Sequence, residues 1–251
     1  MIRARVPAAL LRAGGLRLVG PEHHYLTRVR RARVGESVEL FDGEGGCASA
    51  VISGIDGEGC DLVVAEVQSA RRAGALITAL VPLLKGERMD QCVEKLVEVG
   101  CDRLVLWQAA RSVVRLSPGK DVARVERISA QVAAAVRQSG QAVLPRVEGI
   151  WSLAEVIERC AEPVRVVLDP AAQPLAPGLY APAQAVALLS GPEGGLAPSE
   201  LETLVAAGFS LASLTDTVLR AETAPVVAVA LWLTAMHEVP WADRCHQHAG
   251  I

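Results

Sequence analysis

The chain has 251 residues, 25 Lys and Arg against 28 Asp and Glu, a net charge of −3, and 51% hydrophobic residues, a composition that can bury a core and excludes a disordered chain. Its longest apolar runs, Ala185–Leu189 and Val226–Leu233, fall far short of the roughly 20 residues a membrane-spanning helix needs, and the start Met1-Ile2-Arg3-Ala4-Arg5 lacks the apolar stretch of a secretory signal. Six scattered cysteines with no C-x-x-C pair predict reduced thiols in a cytoplasmic protein rather than a disulfide framework or a zinc ribbon.

Charge is unevenly spread. Residues 1–72 carry 10 basic and 9 acidic side chains, residues 85–146 carry 11 and 7, and residues 147–251 carry 4 and 12. Arg28, Arg30, Arg31 and Arg33 crowd one short stretch. Arginine forks match phosphate oxygens, so such a cluster suits a polyanion; a solvated arginine-rich turn accounts for it equally well. Aromatic residues are only 3%, which leaves little for a surface built on base stacking.

In chain order, the first 70 residues read as a small β module. Val38–Phe41, Cys47–Ser53 and Asp61–Val67 are strand-like, and the Gly/Asp-rich stretches 42–46 and 55–59 between them have the chemistry of tight turns. A small barrel or sandwich is the natural closure. Arg71-Arg72-Ala73-Gly74 reads as a linker. From Ala75 the period changes. Ala75–Leu84 predicts a strand buried on both faces. Glu87–Val99 predicts a helix with Met89, Cys92, Val93, Leu96 and Val97 on its apolar face, stopped by Gly100. Further strands are expected at Arg103–Trp107, Val164–Leu168, Ala185–Ser190 and Ser210–Leu214. Helices are expected at Asp121–Ser139, after the capping-box spacing Ser152-Leu153-Ala154-Glu155, at Pro198–Ala207, and at Ala224–His237. Pro170–Pro182 reads as an irregular connection. Strands alternating with helices imply a mostly parallel sheet covered on both faces.

Three stretches fall between a strand and a helix, where open α/β sheets place ligands. Gly191-Pro192-Glu193-Gly194-Gly195 follows a buried strand; it is neither a Walker loop nor a dinucleotide fingerprint, and by itself is most simply a turn. Leu214 to Ala224 follows the last strand. In it, Arg220 and Glu222 are charges flanked by apolar segments, so they either pair with one another or face a ligand. Lys85-Gly86-Glu87-Arg88-Met89-Asp90 follows the first strand of the module; its cations suit phosphate, and its acids suit a helix N-terminus. No nucleophile elbow is present. The tail Cys245-His246-Gln247-His248 has metal-ligand residue types but reads as a frayed terminus, so no metal is expected.

These three stretches, with Glu94-Lys95-Leu96-Val97-Glu98-Val99-Gly100 and with His24 to Arg30, Gly35 and Phe41-Asp42-Gly43 near the N-terminus, resemble the ribosomal small subunit methyltransferase E (RsmE) family of the SPOUT superfamily along nearly the whole chain. The resemblance implies a PUA-like β-barrel RNA-binding domain over residues 1–72 and a SPOUT-type, trefoil-knotted α/β methyltransferase domain over residues 73–251. It implies S-adenosylmethionine as methyl donor, N3 of a uridine in 16S ribosomal RNA of the small subunit as acceptor, and a homodimer. Carried onto this chain, the cofactor-binding residues are Leu168, Gly191, Pro192, Glu193, Gly194, Gly195, Leu214, Val218, Leu219, Arg220 and Thr223. Arg220 is the expected catalytic residue that stabilises charge on the base, and Glu222 the one that orients it. Arg28, Arg30, Arg31, Arg33, Lys85 and Arg88 are expected to hold RNA phosphates.

The chain departs from the family pattern at Thr215, where the family usually has Gly, and at Thr217 and Gln141, where it usually has Arg. Three further readings stand beside the first: another SPOUT methyltransferase acting on transfer RNA or a ribose hydroxyl; a non-catalytic RNA-binding assembly protein, which Thr217 and Gln141 keep open; and a metabolic α/β enzyme that binds a cofactor without RNA affinity.

Overall fold

The computed structural model describes residues 1–69, 76–114, 119, 121–175 and 185–236. The expected linker 71–74, the histidine-bearing tail, and most of the 170–182 connection lie outside the described residues. Two compact units form, one from Met1–Ala73 with Val132–Leu144 and the other from Gly74–Gln131 with Pro145–Ile251.

The first unit is a six-stranded sheet in the order β1 (Ile2–Arg5), β3 (Ser37–Phe41), β4 (Gly46–Ile55), β5 (Gly59–Val64), β2 (Gly14–Val19), with the short β6 (Gln68–Ser69) paired to β4. Only β1 and β3 run parallel. Along β4 alternate residues Ala48, Ala50 and Ile52 are buried, which is the period-2 pattern of a sheet with one core-facing side. The two turns read from sequence are built by aspartates. Asp42 accepts from the N–H groups of Glu44 and Gly46, and Asp56 from those of Glu58 and Gly59. Between β2 and β3, helix α1 (Gly20–His24) runs into a single π-helical turn, Tyr25–Val29. The arginine stretch is thus not a continuing helix: Arg31, at φ 53°, takes a left-handed backbone.

Strands β1 and β2 were not anticipated from the sequence. In β1 the obstacle is Arg3, which is buried despite its charge; its guanidinium pairs with Glu39 at 2.8 Å and donates to the carbonyls of Val136 and Gln141.

The second unit is a wholly parallel sheet in the order β12 (Ser210–Ala212), β10 (Val164–Leu168), β11 (Val186–Leu189), β7 (Ile77–Pro82), β8 (Arg103–Trp107), β9 (Arg146–Trp151). The central strands β7 and β11 are buried at every position, which is why they read as continuous apolar runs. Helix α2 (Glu87–Val99) packs on α6 (Ala224–Met236), which covers β7 and β11. On the opposite face Val156 of α4 (Leu153–Arg159) and Leu204 of α5 (Pro198–Ala206) join Trp107, Trp151, Leu189 and Phe209 in one core. The long helix α3 (Asp121–Ser139) divides at Gln131, its later residues grouping with the first unit.

Helix ends follow their sequence signals. Gly100 closes α2 at φ 101°, and Ser152 and Glu155 form the reciprocal capping box of α4. Strand β9 was not anticipated, because it is an edge strand whose residues are mostly half-buried and lack a clear apolar period.

Candidate functional site

Because all six strands of the second sheet point the same way, every loop leaving a strand's carboxyl end opens on one edge. Backbone hydrogen bonds fix where those loops begin. Ser190 donates from its N–H to the Leu80 carbonyl at 3.0 Å, and Asp169 to the Ala212 carbonyl at 3.0 Å. The buried Trp107 indole donates to the Ser190 carbonyl at 3.2 Å.

A cleft of about 470 Å³ opens at this edge. Three loops line it: Leu168 to Pro170 after β10, Ser190 to Glu193 with Gly195 and Leu196 after β11, and Val218 to Glu222 before α6. Arg88, in the first turn of α2, completes the wall. The structure thus brings together Leu168, Gly191, Pro192, Glu193, Gly195, Val218, Leu219, Arg220, Glu222 and Arg88 from the expected set. Leu214 lines a smaller neighbouring hollow of about 50 Å³, together with Thr215 and Thr217. Thr215 closes that turn by donating its hydroxyl to the Thr217 carbonyl at 2.7 Å. Gly194 and Thr223 do not line the cleft. Thr223 caps the start of α6, its carbonyl accepting from Val227 at 3.0 Å. Lys85 is exposed beside the cleft-lining Arg88 region but is not part of the wall.

The glycines of the loop have separate reasons. Gly195 sits at φ 67°, a left-handed backbone that other residues adopt at a cost. A Cβ on Gly191 would stand 3.1 Å from the Leu196 side chain.

The cleft is polar on its rim. Arg88 Nη1 meets Glu193 Oε1 at 3.2 Å. Arg220 is 77% exposed and reaches Glu222 only at 3.8 Å, while Glu222 is 12% exposed. One carboxylate oxygen of Glu222, Oε2, is buried and has no hydrogen-bond partner among the described residues. Of the two alternatives, pairing is realised only loosely, and one acceptor is left over. Cys92, on the buried face of α2, has its thiol pushed well above the usual range by desolvation, so it offers no thiolate. Among the described residues no group of three or more His, Cys, Asp or Glu gathers to hold a metal ion, and no helix is long and apolar enough to cross a membrane.

In the first unit Arg28, Arg30, Arg31 and Arg33 are all exposed, and among the described residues none of their four guanidinium groups pairs with a carboxylate, although the Arg33 backbone N–H donates to Glu36 at 3.0 Å. They differ in this from Arg17, which two aspartates hold, and from Arg137, which Glu22 holds. Unpaired, exposed guanidinium groups are what a phosphate backbone needs.

Two residues of the site have no part in the sequence reading. Arg111, after β8, donates from Nη1 to the carbonyls of Gly194 and Leu196 at 3.2 and 3.3 Å. Glu200, in the first turn of α5, is 5% exposed and accepts from the N–H groups of Ala110 and Ala197, each at 2.8 Å. The position of Glu200 three residues after Ala197 is half of a capping-box signal; alanine has no oxygen to complete it.

Comparison with known proteins agrees with this layout. The RNA methyltransferase domain family matches residues 72–233, and the RNA methyltransferase PUA domain family matches residues 20–65. The chain is 34% identical to the ribosomal RNA small subunit methyltransferase E of Mycobacterium tuberculosis over 84% of its own length and 82% of that protein. It is 30% identical to the protein of the same name from Synechocystis, over 82% of this chain and 69% of that one. The structure of ribosomal RNA small subunit methyltransferase E from Neisseria gonorrhoeae bound to S-adenosyl methionine superposes with a TM-score of 0.82 at 25% identity, over 93% of this chain and 97% of that one. A PUA domain followed by a parallel-sheet methyltransferase domain is thus the architecture here, and the chain belongs to the ribosomal RNA small subunit methyltransferase E family.

Proposed function

We propose that the chain transfers a methyl group from S-adenosylmethionine to N3 of a uridine in the 16S ribosomal RNA of the small subunit. The observation that carries this reading is the convergence of three strand-end loops on one cleft of about 470 Å³, a size suited to a nucleoside-sized cofactor. Three features of the cleft fit the donor. Gly195 lines it with nothing within 4 Å of the position a Cβ would take, so its backbone is open to close approach. The buried Oε2 of Glu222 is an acceptor with no partner among the described residues. Asp169, Glu193 and Glu222 line the site with carboxylates, which favour a cation. When bound, S-adenosylmethionine supplies an electrophilic methyl group on a positively charged sulfur.

The chain's own residues have these roles. Leu168, Val218 and Leu219 offer apolar surface for the adenine faces, with Leu214 in the adjoining hollow, and the backbone at Gly191, Pro192, Glu193 and Gly195 lines the cleft where its edge is read, Gly194 being turned away toward Arg111. Thr223 fixes the end of the last loop against α6. Uracil N3 carries a proton and becomes a good nucleophile only when that proton passes to solvent water, so negative charge spreads onto the base oxygens; the N3–methyl bond would then form as the sulfur–methyl bond breaks, with S-adenosylhomocysteine leaving. Arg220, exposed at the mouth, is the donor for that charge. Glu222, 3.8 Å away, is the group that orients Arg220. Holding base and donor in line supplies a large share of the rate, of order 7–11 kcal/mol in favourable cases. Arg28, Arg30, Arg31 and Arg33 in the PUA domain, and Lys85 and Arg88 in the methyltransferase domain, contact phosphates. The same reading makes the chain a cytoplasmic homodimer, which sedimentation of the purified protein tests.

The deciding experiment incubates the protein with S-adenosylmethionine and small ribosomal subunits, digests the RNA to nucleosides and identifies the product by mass spectrometry. 3-Methyluridine is the expected product. A ribose-methylated or other methylated nucleoside, or no incorporation, overturns the assignment.

A further inference from the structure

We propose that Arg111 is a positioning residue for methyl-donor binding, acting through the glycine-rich loop rather than on RNA. The proposal rests on the reading of that loop as the donor site. The turn Ala109–Ser112 leaves the carboxyl end of β8 and is itself closed, with the Ser112 N–H donating to the Ala109 carbonyl at 3.1 Å and its hydroxyl accepting from the Ala109 N–H at 3.2 Å. Three independent contacts tie this segment to the loop after β11, more than 80 residues away in sequence. Before the turn, Trp107 holds the Ser190 carbonyl. Within it, the Ala110 N–H is taken by the buried carboxylate of Glu200, whose other oxygen holds Ala197. At its tip, Arg111 reaches the carbonyls of Gly194 and Leu196.

The glycine at position 194 belongs to the same contact. A Cβ there would stand 3.3 Å from Arg111 Cβ and 3.5 Å from the Arg111 carbonyl oxygen, so the absence of a side chain lets the two segments close. Gly194 therefore faces Arg111 while its neighbours Glu193 and Gly195 face the cleft. A surface arginine is ordinarily a candidate phosphate contact, but Nη1 of this one is turned to two backbone carbonyls inside the loop. Holding Gly194 and Leu196 sets the path of the backbone between them, where Gly195 takes its left-handed turn. The guanidinium thus shapes the donor site without touching the reacting atoms.

The test measures binding of S-adenosylhomocysteine and of a 16S ribosomal RNA fragment separately, by calorimetry and by fluorescence anisotropy, for the full chain and for Arg111→Ala, Arg111→Lys and Glu200→Gln. Loss of a charge-assisted hydrogen bond of about 1.4 kcal/mol corresponds to about a tenfold weaker ligand. Arg111→Ala is expected to weaken the nucleoside by about tenfold with RNA affinity unchanged, and Arg111→Lys, whose ammonium reaches one carbonyl at a time, to recover part of it. Glu200→Gln, which leaves one backbone N–H without its acceptor, is expected to weaken the nucleoside as well. Undiminished nucleoside binding by Arg111→Ala, or a loss confined to RNA, overturns the role of Arg111. Failure of the unaltered protein to bind the nucleoside at all overturns instead the reading of the loop as a donor site.

Discussion

Arg88 and Glu193 join the first turn of α2 to the glycine-rich loop through an Nη1 to Oε1 contact of 3.2 Å. The two residues come from loops at the ends of neighbouring strands β7 and β11, and both face the cleft. A residue read as a phosphate contact thus already has an acidic partner, unlike the four arginines of the PUA domain. Exposed pairs of this kind are worth about 0–1 kcal/mol, little enough for a phosphate to displace the carboxylate.

Arg88→Ala is accordingly expected to leave stability nearly unchanged and to weaken RNA binding. For a contact to single-stranded RNA, the slope of log affinity against log salt falls in magnitude by about 0.7 per phosphate lost. Anisotropy titrations of a 16S fragment over a range of salt concentrations read the slope directly. An unaltered slope removes Arg88 from the RNA surface.

For Arg220 the expectation concerns turnover. Its side chain is 77% exposed and makes only the loose contact with Glu222, so Arg220→Ala removes little that holds the fold. If its guanidinium stabilises charge on the base, the variant loses about 10²–10³ in kcat, the range for a single donor to a developing anion. Affinity for S-adenosylhomocysteine then falls much less. Equal turnover in the variant and the unaltered protein takes Arg220 out of the mechanism.

Much of this arrangement was legible in the sequence. Helix α2, strand β8, helix α3 and strand β10 have the bounds their periodicity and stop signals predict, because each is long or apolar enough for local pattern to decide. The shared edge of the functional loops followed from reading the strands as parallel. What stayed hidden was set at long range. Arg3 is tolerated in a core strand only because Glu39 and two carbonyls from the end of α3 and just beyond satisfy it, and no local pattern announces those partners. Arg111 and Glu200 each act on backbone groups about 80–90 residues distant, so only the folded chain reveals their use.

Gly195 offers a test of backbone geometry alone. Nothing lies within 4 Å of the position a Cβ would take, yet φ is 67°. Gly195→Ala therefore adds no clash and costs only the left-handed conformation, about 1–2 kcal/mol. A chain of this size should melt roughly 2–8 °C lower, with nucleoside binding weakened as the loop relaxes. A variant with unchanged melting and unchanged binding would mean that the turn at Gly195 is not under this constraint.

The opposite edge of the sheet yields a pH dependence. Glu162 lies before β10 and accepts from the Thr78 hydroxyl, from Arg103 at 2.9 Å, and from the Cys160 thiol at 3.1 Å. Burial pushes its carboxyl up, but these hydrogen bonds and the Arg103 charge outweigh it, and the net shift is below the ordinary 4.5. A carboxyl held lower in the folded than in the unfolded chain contributes stability that is complete above the unfolded value and is lost as pH falls through the folded one. Glu162→Gln keeps the shape, removes the charge, and turns an amide donor toward Arg103. It should destabilise the methyltransferase domain near neutrality, and its deficit against the unaltered protein should shrink as pH drops below about 4.5. Urea unfolding followed by tryptophan fluorescence reads this, since Trp107, Trp151 and Trp232 all lie in that domain. A deficit that stays constant, or grows, with acidification contradicts a lowered carboxyl and leaves Glu162 as a packing residue only.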